Sequence, residues 1–178
     1  VEEYIFGIGR KTIVAGTNWS ASGEHREGVS FLENRGYKLG SADEMRALQL
    51  PWQQKDPKTN ENYRLLTWRH SVPDEWVDEY ARLRALLFTE APTGEVGYEN
   101  EYLDATRIRT EEKELTAYGR MMSTTVAVAA DGTLAGHTQL VFDEGEDLVY
   151  QWDTLVLREH RGKGLGYSMK VQNMNETK

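Results

Sequence analysis

The most informative segment of the sequence is DTLVLREHRGKGLGYSMK, which runs from Asp153 to Lys170. An apolar, β-branched run is followed by a basic turn with glycines at 162, 164 and 166, and then by a helical pattern. Glycines allow successive backbone N–H groups to turn toward one point, and the positive end of the following helix faces the same point. The segment therefore predicts a binding site for a phosphate or pyrophosphate, to which Arg161 and Lys163 add positive charge.

The glycine spacing excludes two familiar phosphate-binding loops. No Gly-Lys-Ser/Thr follows at the spacing of the mononucleotide P-loop, and the dinucleotide fingerprint needs a different glycine spacing within a βαβ unit. The strands before this loop have antiparallel character instead. Asp131-Gly132 separates runs at 124–130 and 133–142, which predicts a hairpin whose turn residues have left-handed φ values. A third strand is predicted at 148–157.

The remaining elements are predicted from apolar periodicity and capping residues. Upstream of the hairpin we expect a strand at 63–68, a helix at 73–91 that Ser71 opens in capping-box style, and a helix at 104–118. In the N-terminal part we expect a strand at 11–15, a helix at 24–35 with Ser22 as N-cap and Gly36 after its end, and an extended region at 37–50. The polar stretch 53–62 has the composition of a linker.

Composition narrows the function classes. The chain has 178 residues, and 21 Lys+Arg against 29 Asp+Glu give a net charge of -8, which disfavours nucleic acid and acidic membranes as partners. It contains no Cys, so it has no disulfides or thiolates, and a cytoplasmic location is the default expectation. Its four His lack metal-ligand spacing, and we expect no metal site. No apolar stretch is long enough for a membrane span, and the absence of an initiating Met suggests that Val1 lies inside a longer protein.

Arg161-x-x-Gly164-x-Gly166, placed after the strand at Thr154–Leu157, resembles the acyl-CoA motif of the GNAT superfamily of N-acyltransferases. The element order over residues 63–178 is similar to that family as well. The resemblance implies an α/β (α+β) fold: a mixed, mainly antiparallel sheet flanked by helices, with a splayed central strand and a Gly-rich pyrophosphate loop. It implies that the pantetheine of acetyl-CoA, or of another acyl-CoA, pairs with the backbone of Thr154, Leu155 and Val156. It places the pyrophosphate against Arg161, Gly162, Lys163, Gly164, Leu165, Gly166 and Tyr167.

The resemblance also suggests a domain organisation, because the family's last strands and helix would follow Lys178. We interpret residues 1–52 as the C-terminal part of an upstream GNAT-like domain, 53–62 as a linker, and 63–178 as the N-terminal part of a second such domain. The chain would then be the middle of a tandem acyltransferase of actinobacterial type. A circular permutation of one domain is the alternative.

The resemblance implies direct attack of an amine on the acyl-CoA thioester, with a carboxylate as general base. Asp153 is the first candidate for that base, and Glu99 or Glu101 in the acidic loop is the second. We expect a small-molecule amine as acceptor, and a second copy of the chain or the missing parts of the fold as protein contacts. Two other functions stay open: a non-catalytic acyl-CoA-binding or scaffolding domain, and a generic phosphate-binding domain.

Overall fold

The computed structural model describes residues 2–9, 12–49, 56–57, 60–90, 102–143 and 145–177. The chain separates into two compact units, Val1–Asp43 and Glu44–Lys178. The interpretation of residues 1–52 as part of an upstream domain, and of 63–178 as a second one, stays a prediction.

The N-terminal unit contains two short helices, α1 at Glu2–Gly7 and α2 at Glu27–Glu33. Helix α2 is shorter than the predicted 24–35, because Ser22 bonds Ser20 and Glu24 instead of capping the helix. Gly36, with φ of 82°, follows the helix end as predicted. The predicted strand at 11–15 is wrong for the described residues 12–15, and residues 37–43 form no strand, nor do residues 44–49 at the start of the next unit. The described part of this unit offers neither segment a strand to pair with.

The C-terminal unit contains the other elements of the fold. They are, in chain order, β1 (Tyr63–Arg69), α3 (Val77–Ala85), α4 (Leu87–Glu90), α5 (Ala105–Ala117), β2 (Arg120–Ala129), β3 (Leu134–Asp143), β4 (Val149–Val156) and α6 (Leu165–Glu176). The four strands form one antiparallel sheet in the order β1-β2-β3-β4. This confirms the predicted α/β (α+β) class with a mainly antiparallel sheet flanked by helices. It also confirms the three consecutive strands predicted after residue 120.

Two local predictions in this unit are corrected by side-chain contacts. The helix predicted from Pro73 begins at Val77, since Ser71 does not cap it and the backbone N–H of Val72 donates to Glu112 Oε1 at 2.8 Å. In the hairpin turn only Gly132 has a positive φ, of 91°. Asp131 instead accepts bonds from the N–H and the hydroxyl of Thr133, at 3.0 and 2.7 Å, and this side-chain cap stabilises a turn followed by a glycine bulge.

One face of the sheet packs against α3 and α5, and the other against α6. The first interface buries Tyr80, Ile108, Val126, Val128 and Leu155 in the larger apolar cluster. Burial of such a cluster contributes most of the stability of the fold. Among the described residues, no helix is long and apolar enough to span a membrane.

Helix α6 lies very close to the sheet because of Gly136 in β3. A Cβ at Gly136 would lie 2.5 Å from the carbonyl oxygen of Leu155 and 3.2 Å from Cε of Met169. Two buried hydrogen bonds also hold the helix, since Ser123 Oγ donates to Asn173 Oδ1 at 2.6 Å and Asn173 Nδ2 donates to the Ser123 carbonyl at 3.0 Å. These contacts hold α6 against the sheet as it leads away from the loop that follows β4.

Candidate functional site

The loop between β4 and α6 has the geometry of an anion cradle. After β4 the chain makes a short 3₁₀ turn at Arg158–His160, and Gly162 and Gly164 then both have φ of 76°. Helix α6 begins at Leu165, and its N-cap residue is Gly164, which has no side chain to cap the helix. The first N–H groups of a helix have no intrahelical partner, so an uncapped start presents donors and the positive end of the helix dipole.

A surface depression of about 230 Å³ lies at this loop. Its lining residues are Val156, His160, Arg161, Gly162, Gly164, Leu165, Gly166 and Tyr167. All of them except His160 are among the residues predicted to bind the cosubstrate. Thr154, Leu155 and Lys163, which were predicted as well, lie outside this lining, and the side chain of Leu155 is part of the core.

Arg161 does not project freely into the depression. Its Nε donates to the carbonyl oxygen of Val156 at 2.9 Å, and its Nη2 donates to the carbonyl and carboxylate oxygens of Glu90 at 2.8 and 3.2 Å. Arg158 also lies 3.8 Å from the Glu90 carboxylate. Arg161 thus fastens the end of β4 to the end of α4. It occupies one of the carbonyls that the family resemblance assigns to pantetheine.

Lys163 is held toward β1 by Tyr63, a residue that the sequence did not single out. The Lys163 ammonium donates to the Tyr63 hydroxyl at 2.8 Å and to the Glu159 carbonyl at 3.3 Å. The same hydroxyl lies 2.8 Å from Nδ1 of His160. No sequence signal joins these groups, because Tyr63 is about a hundred residues away from its partners and only the sheet brings β1 near the loop.

Asp153 lies at an irregularity of β4. Thr138 pairs with Thr154 and Leu140 with Gln151, so that Trp152 and Asp153 together oppose the single residue between them on β3. Burial raises the pKa of the Asp153 carboxyl, Arg84 opposes that shift, and Glu111 adds to it. A raised pKa is the direction that a general base working near neutral pH requires. The other two candidate bases, Glu99 and Glu101, lie outside the described residues.

The face of the sheet that packs against α3 and α5 is unusually polar for a core near Asp153. Trp68, Tyr80 and His137 form two successive edge-to-face contacts, with ring centroids 5.8 and 5.6 Å apart. Burial lowers the pKa of His137 to about 3, so this imidazole is neutral near pH 7. Burial also raises the pKa of the Tyr80 hydroxyl. Within the described ranges, no group of three or more His, Asp or Glu side chains is arranged to hold a metal ion.

Comparisons with known proteins place this geometry in a structural family. No known family profile and no curated protein matches the sequence. Among solved structures, a tandem GNAT protein from the clavulanic acid biosynthesis pathway, determined without acetyl-CoA, matches with a TM-score of 0.54 and 29% identity. A protein from Pyrococcus furiosus assigned as an acetyl transferase matches with a TM-score of 0.41 and 18% identity, over 64% of this chain and 73% of its own.

The match to the tandem protein covers 68% of this chain but only 34% of that chain. The chain therefore resembles the GNAT superfamily in its fold and spans about a third of the length of this tandem relative. The resemblance inferred from the Arg161-x-x-Gly164-x-Gly166 motif is confirmed at that level.

Proposed function

We propose that this GNAT-like chain carries the acyl-CoA-binding part of an N-acyltransferase, and that it moves an acetyl group from acetyl-CoA to the amine of a small molecule. The start of α6, which has Gly164 as its N-cap and follows two left-handed glycines in the loop after β4, is the observation that carries the proposal. It supplies backbone donors and a positive helix end for the pyrophosphate. The predicted amides at 162–167 and the backbone of 154–156 are the groups proposed to bind the cosubstrate.

When bound, acetyl-CoA supplies a thioester for direct transfer. The acceptor nitrogen forms a bond to the thioester carbonyl carbon, the carbon–sulfur bond breaks, and the sulfur leaves as the thiolate of CoA. We propose that Asp153 takes the proton that the nitrogen loses, because it is partly buried and burial raises its pKa. Glu99 and Glu101 are the alternatives, either directly or through a water molecule.

The proposal extends to the rest of the protein. Since the tandem relative is about three times longer than the matched region, we propose that residues 1–52 belong to an upstream GNAT-like domain and that a longer tandem protein is the active species. We further propose a cytoplasmic protein that acts on a small-molecule amine and does not bind nucleic acid.

A non-catalytic acyl-CoA-binding domain is the second candidate, favoured by one contact. Arg161 occupies the Val156 carbonyl, so pantetheine can pair with that carbonyl only if the guanidinium moves. A domain that binds the nucleotide end of CoA without presenting the thioester would tolerate this contact.

Calorimetry with acetyl-CoA, CoA and ATP, followed by an acetyl-transfer assay over a panel of amines, tests these functions. We expect binding of acetyl-CoA and CoA that ATP does not reproduce, together with transfer. Binding without transfer in the longer tandem protein would support the scaffolding domain. Equal binding of all three ligands would leave only a generic phosphate site and would overturn both proposals.

A further inference from the structure

The bulge in β4 decides on which face of the sheet Asp153 lies. Thr138 and Leu140 are two residues apart on β3 and share a face, but their partners on β4, Thr154 and Gln151, are three residues apart. The extra residue reverses the alternation of side chains between the two ends of β4. Asp153, next to Thr154, therefore lies on the opposite face. Without the bulge, alternation from Gln151 would place Asp153 on the same face as Gln151.

The face that Asp153 occupies is the one that packs against α3 and α5. Leu155, two residues beyond Asp153, belongs to the apolar cluster formed with these two helices, and side chains two residues apart on a strand share a face. The ionisable groups that interact electrostatically with the Asp153 carboxyl come from the same helices. They are Arg84 and Tyr80 of α3 and Glu111 of α5. The bulge thus brings the carboxyl into this environment and away from α6.

The side-chain amide of Gln151 bridges the bulge. Its Nε2 donates to the carbonyl oxygen of Gln139 at 2.8 Å and to the hydroxyl oxygen of Thr138 at 3.0 Å. Longer contacts of 3.4 Å join the same nitrogen to the Trp152 carbonyl and the Thr154 hydroxyl. The two N–H groups of the amide suffice for the two shorter bonds. A backbone carbonyl only accepts, so the nitrogen of the amide, and not its oxygen, faces the bulge.

These bonds lie where the bulge disrupts the backbone pairing. Gln139 is the β3 residue that stands opposite two residues of β4, and the ladder of hydrogen bonds is broken at such a position. Gln139 and Thr138 are only 1% and 0% exposed, so their polar groups depend on protein partners rather than on bulk water. The Gln151 amide supplies a donor to both residues, and it thereby stabilises the bulged register of β4 over a regular one.

We propose that Gln151 is a positioning residue for the proposed general base: its side-chain amide holds the bulge of β4, and the bulge places the Asp153 carboxylate on the α3 and α5 face. The proposal rests on the proposed acyltransferase function and adds a residue that acts through the base. Gln151 itself needs no contact with acetyl-CoA or with the acceptor in this role.

A nuclear magnetic resonance titration of the chain tests the placement without requiring activity. The carboxyl signal of Asp153 is the one that disappears in Asp153→Asn. Gln151→Met keeps the length of the side chain and removes both donors. We expect the pKa of the Asp153 carboxyl to fall toward its ordinary value in this variant, because burial is the main cause of its raised pKa and a loosened bulge exposes the carboxyl.

A matched control removes a similar hydrogen bond at the other edge of the sheet. Thr67→Val breaks the 2.8 Å bond between the Thr67 and Thr125 hydroxyls, which join β1 to β2. We expect this variant to keep the Asp153 pKa of the wild type. An Asp153 pKa that is unchanged in Gln151→Met, or that shifts equally in the control, would overturn the proposal. Gln151→Ala, at the same exposed position, provides a second variant if Gln151→Met fails to fold.

Acetyl-transfer kinetics provide the second arm of the test. We expect Gln151→Met to lower kcat by roughly tenfold, which is less than removal of the base itself should cost. The rise of kcat with pH should move to lower pH, while the KM for acetyl-CoA changes less than kcat. Thr67→Val should keep the wild-type profile. Absence of acetyl-CoA binding in calorimetry would reject the proposed function, and the titration would still decide whether Gln151 places the carboxyl. Binding and transfer with equal profiles in Gln151→Met and Thr67→Val would reject only the role of Gln151.

Discussion

Replacing Gly164 by Asp and by Asn separates the charge requirement of the proposed pyrophosphate site from its backbone requirement. Gly164 has φ of 76°, and it is exposed immediately before α6. Asp and Asn are similar in size and are the side chains that best tolerate left-handed φ, so both variants should lose a similar stability, roughly 1 kcal/mol. Their stability without ligand is therefore matched, and only the charge differs.

The carboxylate in Gly164→Asp would lie against the proposed pyrophosphate. Two unit charges about 5 Å apart repel by about 3 kcal/mol at an effective dielectric constant of about 20. Exposure and salt reduce this repulsion to about 1.5–2 kcal/mol, which corresponds to a tenfold to thirtyfold loss of affinity. We thus expect Gly164→Asp to bind acetyl-CoA at least tenfold more weakly than Gly164→Asn.

Calorimetry at two salt concentrations measures the difference between the two variants. The gap in affinity should narrow as salt rises, because exposed charges are screened. Thermal unfolding without ligand serves as the control and should give the same midpoint for both. Equal acetyl-CoA affinity in the two variants at low salt would show that the pyrophosphate does not bind at this loop. The main support for an acyl-CoA function would then be lost.

Four further changes test other parts of the structure. Asp153→Asn should lower kcat by roughly 10²–10⁴-fold with little change in acetyl-CoA affinity; an unchanged kcat would transfer the role to another base. Glu90→Gln should remove the carboxylate that neutralises Arg161, while the bonds of Arg161 to the Val156 and Glu90 carbonyls remain. The unneutralised charge should tighten acetyl-CoA binding several-fold at low salt, and calorimetry should find a smaller gain in the Arg161→Ala background. Because the pKa of His137 falls from 6.5 to about 3 on folding, the unfolded state binds more protons between these values, and stability is lost as pH falls from about 6.5. His137→Leu should therefore flatten the decline of the unfolding free energy between pH 7 and 5, and an unaltered slope would contradict the burial of a neutral imidazole. Gly136→Ala should destabilise the fold by about 1–3 kcal/mol in denaturant unfolding, because its Cβ would lie 2.5 Å from the Leu155 carbonyl oxygen of β4; a wild-type midpoint would show that β4 can move away.

Local patterns determined most of the C-terminal unit. The β-branched runs predicted the strands after residue 120. Gly162, Gly164 and the apolar positions beyond them predicted the glycine loop and helix α6. These features depend on neighbours within a few residues, where side-chain type and backbone preference act directly. The same local reasoning failed at the described residues 12–15, because a β-branched run becomes a strand only where a partner strand exists.

Tertiary structure alone decided the roles of the individual side chains. Arg161 and Lys163 have the residue types of a phosphate site, but Glu90 and Tyr63 hold them, and these partners lie 71 and 100 residues away in the sequence. Trp68, Arg84 and Gln139 similarly carry no motif, and they meet only because three strands and two helices place them around one cavity. A sequence determines which groups are available and which short segments form, through interactions between near neighbours. Which groups meet depends on packing across the sheet, because the free energy of a buried contact is set by burial and geometry rather than by separation along the chain.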